Sequence, residues 1–358
     1  MSKHLSILSG LLLSLCLSPT LAADAPTGAR LNVAAVNLRI IDQQIIPGYQ
    51  RLVDATQAFA HTTETGCGDQ AALRNNFNGV ADAWMAVEHW RFGPVEYLDR
   101  RHRLWFWPDK HSRSAKQLRA LIIAADAQVL EAENFAQLSA ALQGMPAIER
   151  LIFVEGEHKD YACQVLHAIA TNMARMSTGI VSDWTATPDG ERALITATGS
   201  GSSPLYQNPL EFTAELLQSL NTQLLTMRDL KLDRPLGDDL ATARPHRAEF
   251  WRSERSLPNL HRNLAAVAQL YGVTAPGLNA LILDPDSDLD TRIKAAFGEL
   301  DTALHAIQPP LSTAVADAKR RPQVESARAA LDKLITLITQ ELPPALGLNL
   351  GFNALDGD

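Results

Sequence analysis

The chain has 358 residues, 20% charged and 46% hydrophobic, with a formal net charge of −8 at pH 7. That length can bury a large core and suggests two domains, or one large duplicated one. The acidic balance argues against nucleic acid as a partner, because phosphate binding needs a clustered basic face, and Lys319-Arg320-Arg321 reads as a solvated helix end.

Residues 1–22 have the layout of a cleavable signal peptide. Lys3 and His4 are basic, residues 5–17 are apolar, and Pro19-Thr20-Leu21-Ala22 supplies a helix break and a small residue before the cut. The apolar run is too short to span a bilayer, and no later stretch approaches twenty unbroken apolar residues. A periplasmic mature chain starting at Ala23, without a transmembrane segment, is therefore expected. Leu15 precedes Cys16 where an acylated cysteine requires a small residue, which argues against a lipid anchor. Cleavage removes Lys3 and takes the net charge from −8 to −9.

The mature chain reads as helix after helix. Apolar residues recur every three or four positions over 31–59, 71–90, 160–184, 210–230, 257–271, 291–307 and 324–342. In 160–184 the stripe is Tyr161, Val165, Ile169, Met173, Met176, Ile180 and Trp184, a pattern that belongs to a core. Val and Ile never alternate between turn residues, so a sheet has little support. Gly93-Pro94, Trp107-Pro108-Asp109 and Gly144-Met145-Pro146 are breaks, and 187–208, rich in Gly and Ser, reads as a flexible connection. The expected organisation is all-α, with two packed helical bundles at 23–186 and 208–358 joined by a linker at 187–207.

Most catalytic templates are absent. Gly199 to Ser203 does not fit G-x-S-x-G, and there is no phosphate loop and no H-E-x-x-H. Cys67 and Cys163 are the cysteines that survive cleavage, and an even pair in an oxidising compartment points to a disulfide. The competing reading makes Cys163 and His167, one turn apart, half of a metal site. His158 and His167 face opposite ways, and His89, His102 and His111 flank the break at 105–109. Among carboxylates, Glu88, Glu96, Asp109 and Glu149 sit beside breaks. Glu149 is expected in the first turn of a helix opened by Pro146, where it also suits the positive helix end. Arg247, Arg252 and Arg255 surround a run in which Ser256 is expected as N-cap. Their guanidinium forks suit a carboxylate or phosphate ligand, or carboxylates of the other bundle.

Several short segments carry a family resemblance in order along the chain. They are Ala83-Trp84, Arg91-Phe92-Gly93-Pro94, Phe106-Trp107-Pro108-Asp109, residues 144–153, Trp251-Arg252-Ser253 with Arg255-Ser256, and the tail from Gly347. Together they resemble the imelysin family, in its imelysin-like branch of exported proteins. The resemblance implies a duplicated four-helix-bundle architecture and a connection with bacterial iron uptake. It also implies a G-x-H-x-x-E motif, on which some members are classed as metallopeptidases. Gly144 and Glu149 match that motif, but Pro146 stands where the histidine belongs, which removes a nitrogen ligand that zinc hydrolysis needs. The resemblance therefore implies a non-catalytic binding or accessory protein rather than a peptidase, with a metal-dependent hydrolase or an envelope scaffold as alternatives. The cofactor stays open, iron or another divalent metal being the candidates, and the implied partners are iron-uptake or other envelope proteins. Glu149 marks the functional region, and Arg91, Asp109, Ser253 and Arg255 are the candidates to converge on it as a binding pocket.

Overall fold

A computed structural model describes residues 32–154, 159–198 and 203–348. The expected signal peptide, His158, the glycine-serine stretch at 199–202 and the tail from 349 lie outside the described residues. The described chain is all-α and contains no strand. No helix among these residues is long and apolar enough to cross a membrane.

The first long element is α1 (Val33–Ile40), which runs through a π-helical stretch, Ile41–Ile45, into α2 (Ile46–Glu64). After α3 (Gln70–Met85) come α4 (Arg113–Ala124), α5 (Met145–Phe153) and α6 (Lys159–Thr185). The second half supplies α7 (Pro209–Leu225), α8 (Ser256–Tyr271), α9 (Leu289–Ala306) and α10 (Arg321–Thr336). Two of these helices continue as π-helix, over Thr226–Asp233 after α7 and Leu337–Glu341 after α10. Helix α2 packs along α6 and α3, and α9 packs along α10. The two groups meet where α1 crosses α7 and α3 crosses α8.

The stripe on α6 lies wholly inside: Tyr161, Val165, Ile169, Met173, Met176, Ile180 and Trp184 are all buried. Each such side chain contributes about 1.5–3 kcal/mol on burial, so this face holds α6 against its neighbours far more strongly than helix propensity does. One continuous apolar cluster runs from Val36 through Trp184 to Leu348, spanning both groups of helices.

Three local expectations change. The helix expected at 71–90 ends at Met85, because Val87, Glu88, His89 and Trp90 are all buried and consecutive residues cannot share one helical face. The connection at 187–208 contains a short helix, Glu191–Thr196, preceded by Gly190, where a Cβ would collide with the Ala186 carbonyl. Ser256 is the first helical residue of α8 rather than its N-cap, and its hydroxyl donates to the Glu249 carbonyl.

The disulfide between Cys67 and Cys163 is formed, with Cα atoms 5.7 Å apart. It ties the connection between α2 and α3 to the second turn of α6. The metal half-site on Cys163 and His167 falls with it, since His167 Nδ1 instead bonds the Thr63 hydroxyl at 3.0 Å.

Candidate functional site

Helix α5 begins where the chain passes close to the end of an earlier helix. A Cβ on Gly144 would collide with the Arg103 and Leu104 carbonyl oxygens, so glycine is required there for close approach rather than for a turn. Gly144 is the N-cap and Pro146 the second helical residue, where its missing N–H costs nothing. Because the helix starts at Met145, Glu149 opens the second turn, one residue later than expected. It is buried, and its Oε1 accepts from Ser253 Oγ (2.9 Å), Ser253 N (3.1 Å) and Arg252 N (3.2 Å). The Arg252 guanidinium lies 3.5 Å from Oε2. Burial raises the Glu149 pKa, and the bonds from Ser253 and Arg252 oppose that rise.

Those bonds pin the turn 250–254 of the second group of helices to α5 of the first. Phe250 (φ 48°) and Glu254 (φ 57°) adopt left-handed backbone at the two ends of this turn, a conformation that the surrounding structure must enforce on non-glycine residues.

A cavity of about 400 Å³ opens beside this junction. Trp107 and Trp251 form part of its wall, and the charged lining is Lys110, Arg150, Arg234, Arg247 and Arg252 against Asp109 and Glu149. Both carboxylates are already engaged. Asp109 accepts from the backbone N–H groups of Arg113 (2.8 Å) and Ser114 (2.9 Å), capping α4, while Glu149 is held as described. Among the described residues, Lys110, Arg150, Arg234 and Arg247 have no side-chain ion pair. Burial lowers the pKa of Arg150, with Arg252 adding repulsion, and burial likewise lowers that of Arg234, with Arg247 adding repulsion. Arg252 stacks over Trp251 at 4.3 Å, and His246 stacks on the same ring at 4.1 Å. Asp109 and Glu149 offset part of the positive charge at Arg150, and Asp109 part of that at Arg234, but five cationic side chains outnumber the two carboxylates in a cavity with an aromatic wall. A larger cavity, about 570 Å³, lies beside the disulfide, but the surface it exposes is mainly apolar, including Leu130, Phe135 and Ala168, and its charged groups, Glu64, Glu131 and Arg175, are of mixed sign.

Behind the cavity, the same segment reaches a buried ion cluster. Lys231, 1% exposed, sits in the π-helical stretch after α7. Its Nζ lies 2.7 Å from Glu88 Oε2, 2.7 Å from Asn263 Oδ1 and 2.9 Å from Glu249 Oε1. Glu88 and Glu249 are 2% and 1% exposed. Asn263 and Gln223 also donate to Glu88, and Asn259 donates to Glu249. Burial alone would raise the Glu88 pKa, but Lys231 holds it below the usual carboxylate range. Burial pushes Glu249 up to about 7, opposed by Lys231 and reinforced by Glu88. Around one ammonium, Glu88 thus stays ionised while Glu249 takes up a proton near neutral pH.

A folded-state pKa raised from 4.5 to about 7 means that the Glu249 contribution is fully present below the ordinary carboxylate range and is lost as pH rises towards 7. Glutamine cannot lose it. The stability of Glu249→Gln relative to the wild type should therefore rise between about pH 5 and pH 8, by on the order of 2–3 kcal/mol. His89, buried and pushed down to about 3, contributes with the opposite sign but equally in both proteins. Urea unfolding followed by tryptophan fluorescence at several pH values measures the gap, and a gap that stays flat would refute this assignment.

Of the residues expected to converge, Glu149 and Asp109 line the cavity, while Ser253 bonds Glu149 without lining it. Arg255 and Arg91 go elsewhere. Arg255 pairs with Asp82 on α3, the inter-bundle alternative, and Arg91 donates to Thr226 Oγ1 at 2.8 Å. Both are drawn to partners on neighbouring helices that only packing brings near. His89 is buried, while His102 and His111 are exposed. Arg150, Arg234 and Lys231 carried no sequence signal that singled them out.

The imelysin family profile matches residues 45–338. The chain belongs to the imelysin family. It is 23% identical over 318 residues to iron-regulated protein A of Synechococcus elongatus, covering 85% of this chain and 84% of that protein. Among solved structures, an imelysin-like protein from Psychrobacter arcticum aligns with a TM-score of 0.73 at 20% identity, over 89% of this chain and 97% of the other. A putative iron-regulated protein A precursor from Parabacteroides distasonis aligns with a TM-score of 0.74 at 16% identity, over 87% and 95%. These likenesses establish the fold.

The metal that the family's peptidase designation implies does not fit the residues at the motif. Pro146 offers no ligand atom, Oε1 of Glu149 already accepts three hydrogen bonds, and the surrounding side chains are mostly cationic. A divalent cation there would meet repulsion instead of ligands.

Proposed function

We propose that this chain is an exported, non-catalytic binding protein of bacterial iron acquisition, and that its cationic cavity takes an anion bearing carboxylate or phosphate groups. The observation that carries the reading is the set of guanidinium groups of Arg150, Arg234 and Arg247, which line one cavity with no ion-paired carboxylate among the described residues. Guanidinium forks match carboxylate and phosphate oxygens, and an anion would relieve their mutual repulsion. The relatives named for iron regulation support an iron connection. A ferric carboxylate chelate combines the two, because it delivers iron inside a negatively charged ligand shell. The leader-like residues 1–22 and the Cys67–Cys163 disulfide support export to an oxidising compartment.

Trp107 and Trp251 make the cavity its own reporter. Titration of ferric citrate into the purified protein should change tryptophan fluorescence saturably. The Arg150→Gln/Arg234→Gln variant should bind at least about tenfold more weakly, since loss of charge-assisted hydrogen bonds costs about 1.5–3 kcal/mol each. Equal binding by the two proteins would overturn the site, and absence of binding by the wild type would overturn the ligand class. Incubation with unfolded protein substrates and added zinc should give no cleavage. Turnover that disappears in Glu149→Gln would instead establish a peptidase.

A further inference from the structure

We propose that His261, Asp301 and His305 form a second, independent site that binds a late first-row divalent cation. His261 projects from α8, while Asp301 and His305 lie one turn apart on α9, so the two partners on α9 share a face. The two helices pack against each other. One ligand atom from each of the three residues falls within 4.8 Å of the other two. The imidazole rings have centroids 4.2 Å apart and are tilted by 48°.

Two further observations distinguish this group from an ordinary surface cluster. His305 Nδ1 bonds the Asp301 backbone carbonyl at 2.8 Å. A carbonyl oxygen only accepts, so this bond requires the proton on Nδ1, which also lies 3.4 Å from Asp301 Oδ1, and leaves the lone pair on Nε2. Metal-binding histidines use this arrangement: the second ring nitrogen donates to a carbonyl or carboxylate, fixing tautomer and orientation. His261 Nδ1 is buried without a hydrogen-bond partner, and an unsatisfied buried nitrogen is costly unless something coordinates it. Two imidazoles and one carboxylate suit zinc, nickel, cobalt or copper, and are poor for calcium or magnesium, which prefer all-oxygen shells. Three protein ligands leave a coordination position open. Asp301 and His305 side chains are 56% and 65% exposed, so the ion has direct access from solvent. The cluster shares no residue with the lining of the cationic cavity and makes no use of Glu149.

Isothermal titration of untagged protein with Zn²⁺ alone tests the site. The wild type should bind one equivalent, and His305→Ala, which removes a mostly exposed side chain, should bind at least tenfold more weakly. Asp301→Asn should weaken binding to a lesser degree. His61→Ala removes an exposed histidine on α2 that pairs only with Glu64, and should bind like the wild type. Co²⁺ added to the wild type should give visible d–d absorption that His305→Ala lacks. Unchanged Zn²⁺ affinity in His305→Ala, or equal weakening in His61→Ala, would overturn the proposal, as would absence of Zn²⁺ binding by the wild type.

Discussion

Lys231→Met is expected to lower the unfolding free energy by about 3–5 kcal/mol, the usual cost of breaking a buried ion pair from one side. Lysine and methionine are similar in length and both fill the site, so the loss is electrostatic. Removal of the ammonium leaves Glu88 and Glu249 facing one another in a region from which water is excluded. Glu88 would retain the amide donors of Asn263 and Gln223, and Glu249 that of Asn259. Neither set supplies a full positive charge. The triple variant Lys231→Met/Glu88→Gln/Glu249→Gln removes all three charges and should recover much of the loss, because a buried ion cluster replaced as a unit costs far less than one broken in part. Urea unfolding of the three proteins decides the point. A loss below about 1 kcal/mol in the single variant would show that the cluster is better solvated than its burial implies. The same variant should disturb the cavity, since Glu249 anchors the segment whose Ser253 and Arg252 hold Glu149.

Cys67→Ser/Cys163→Ser should cost about 4–5 kcal/mol if chain entropy governs, because the bond closes a loop across 96 residues of sequence. The native contacts of α2 along α6 persist without it, so the effect acts chiefly through a less constrained unfolded chain. Thermal unfolding of the double variant against the oxidised wild type measures it. Two free thiols in non-reduced, denatured wild-type protein would remove the premise.

Local pattern carried much of this architecture. The stripe from Tyr161 to Trp184 is visible in the residues alone because helical periodicity depends only on near neighbours, and the structure buries every member of it. The cysteine pairing could be favoured without geometry, since Cys67 and Cys163 are the two thiols left once the leader-like residues 1–22 are set aside. The motif around Gly144 and Glu149, with Pro146 in place of histidine, was equally legible, and so was the donor-rich run containing Arg252 and Ser253. The end of α3 at Met85 was not, because apolar spacing continues past it and only the buried turn at 87–90 shows why the helix stops. Nor were the partners of the charges. Arg255 turned to Asp82 and Arg91 to Thr226, whereas Arg150 and Arg234, unremarkable in sequence, joined the cavity. Lys231 lies 143 residues from Glu88, and His261 reaches His305 from a different helix. The sequence by itself determined most of the long helices and their inward faces, which follow from near-neighbour periodicity, and it favoured the disulfide by counting. The tertiary structure alone decided which charges are buried together and which stand unpaired, because that depends on how the helices cross, and crossing is set by the packing of whole faces rather than by any residue's own neighbours.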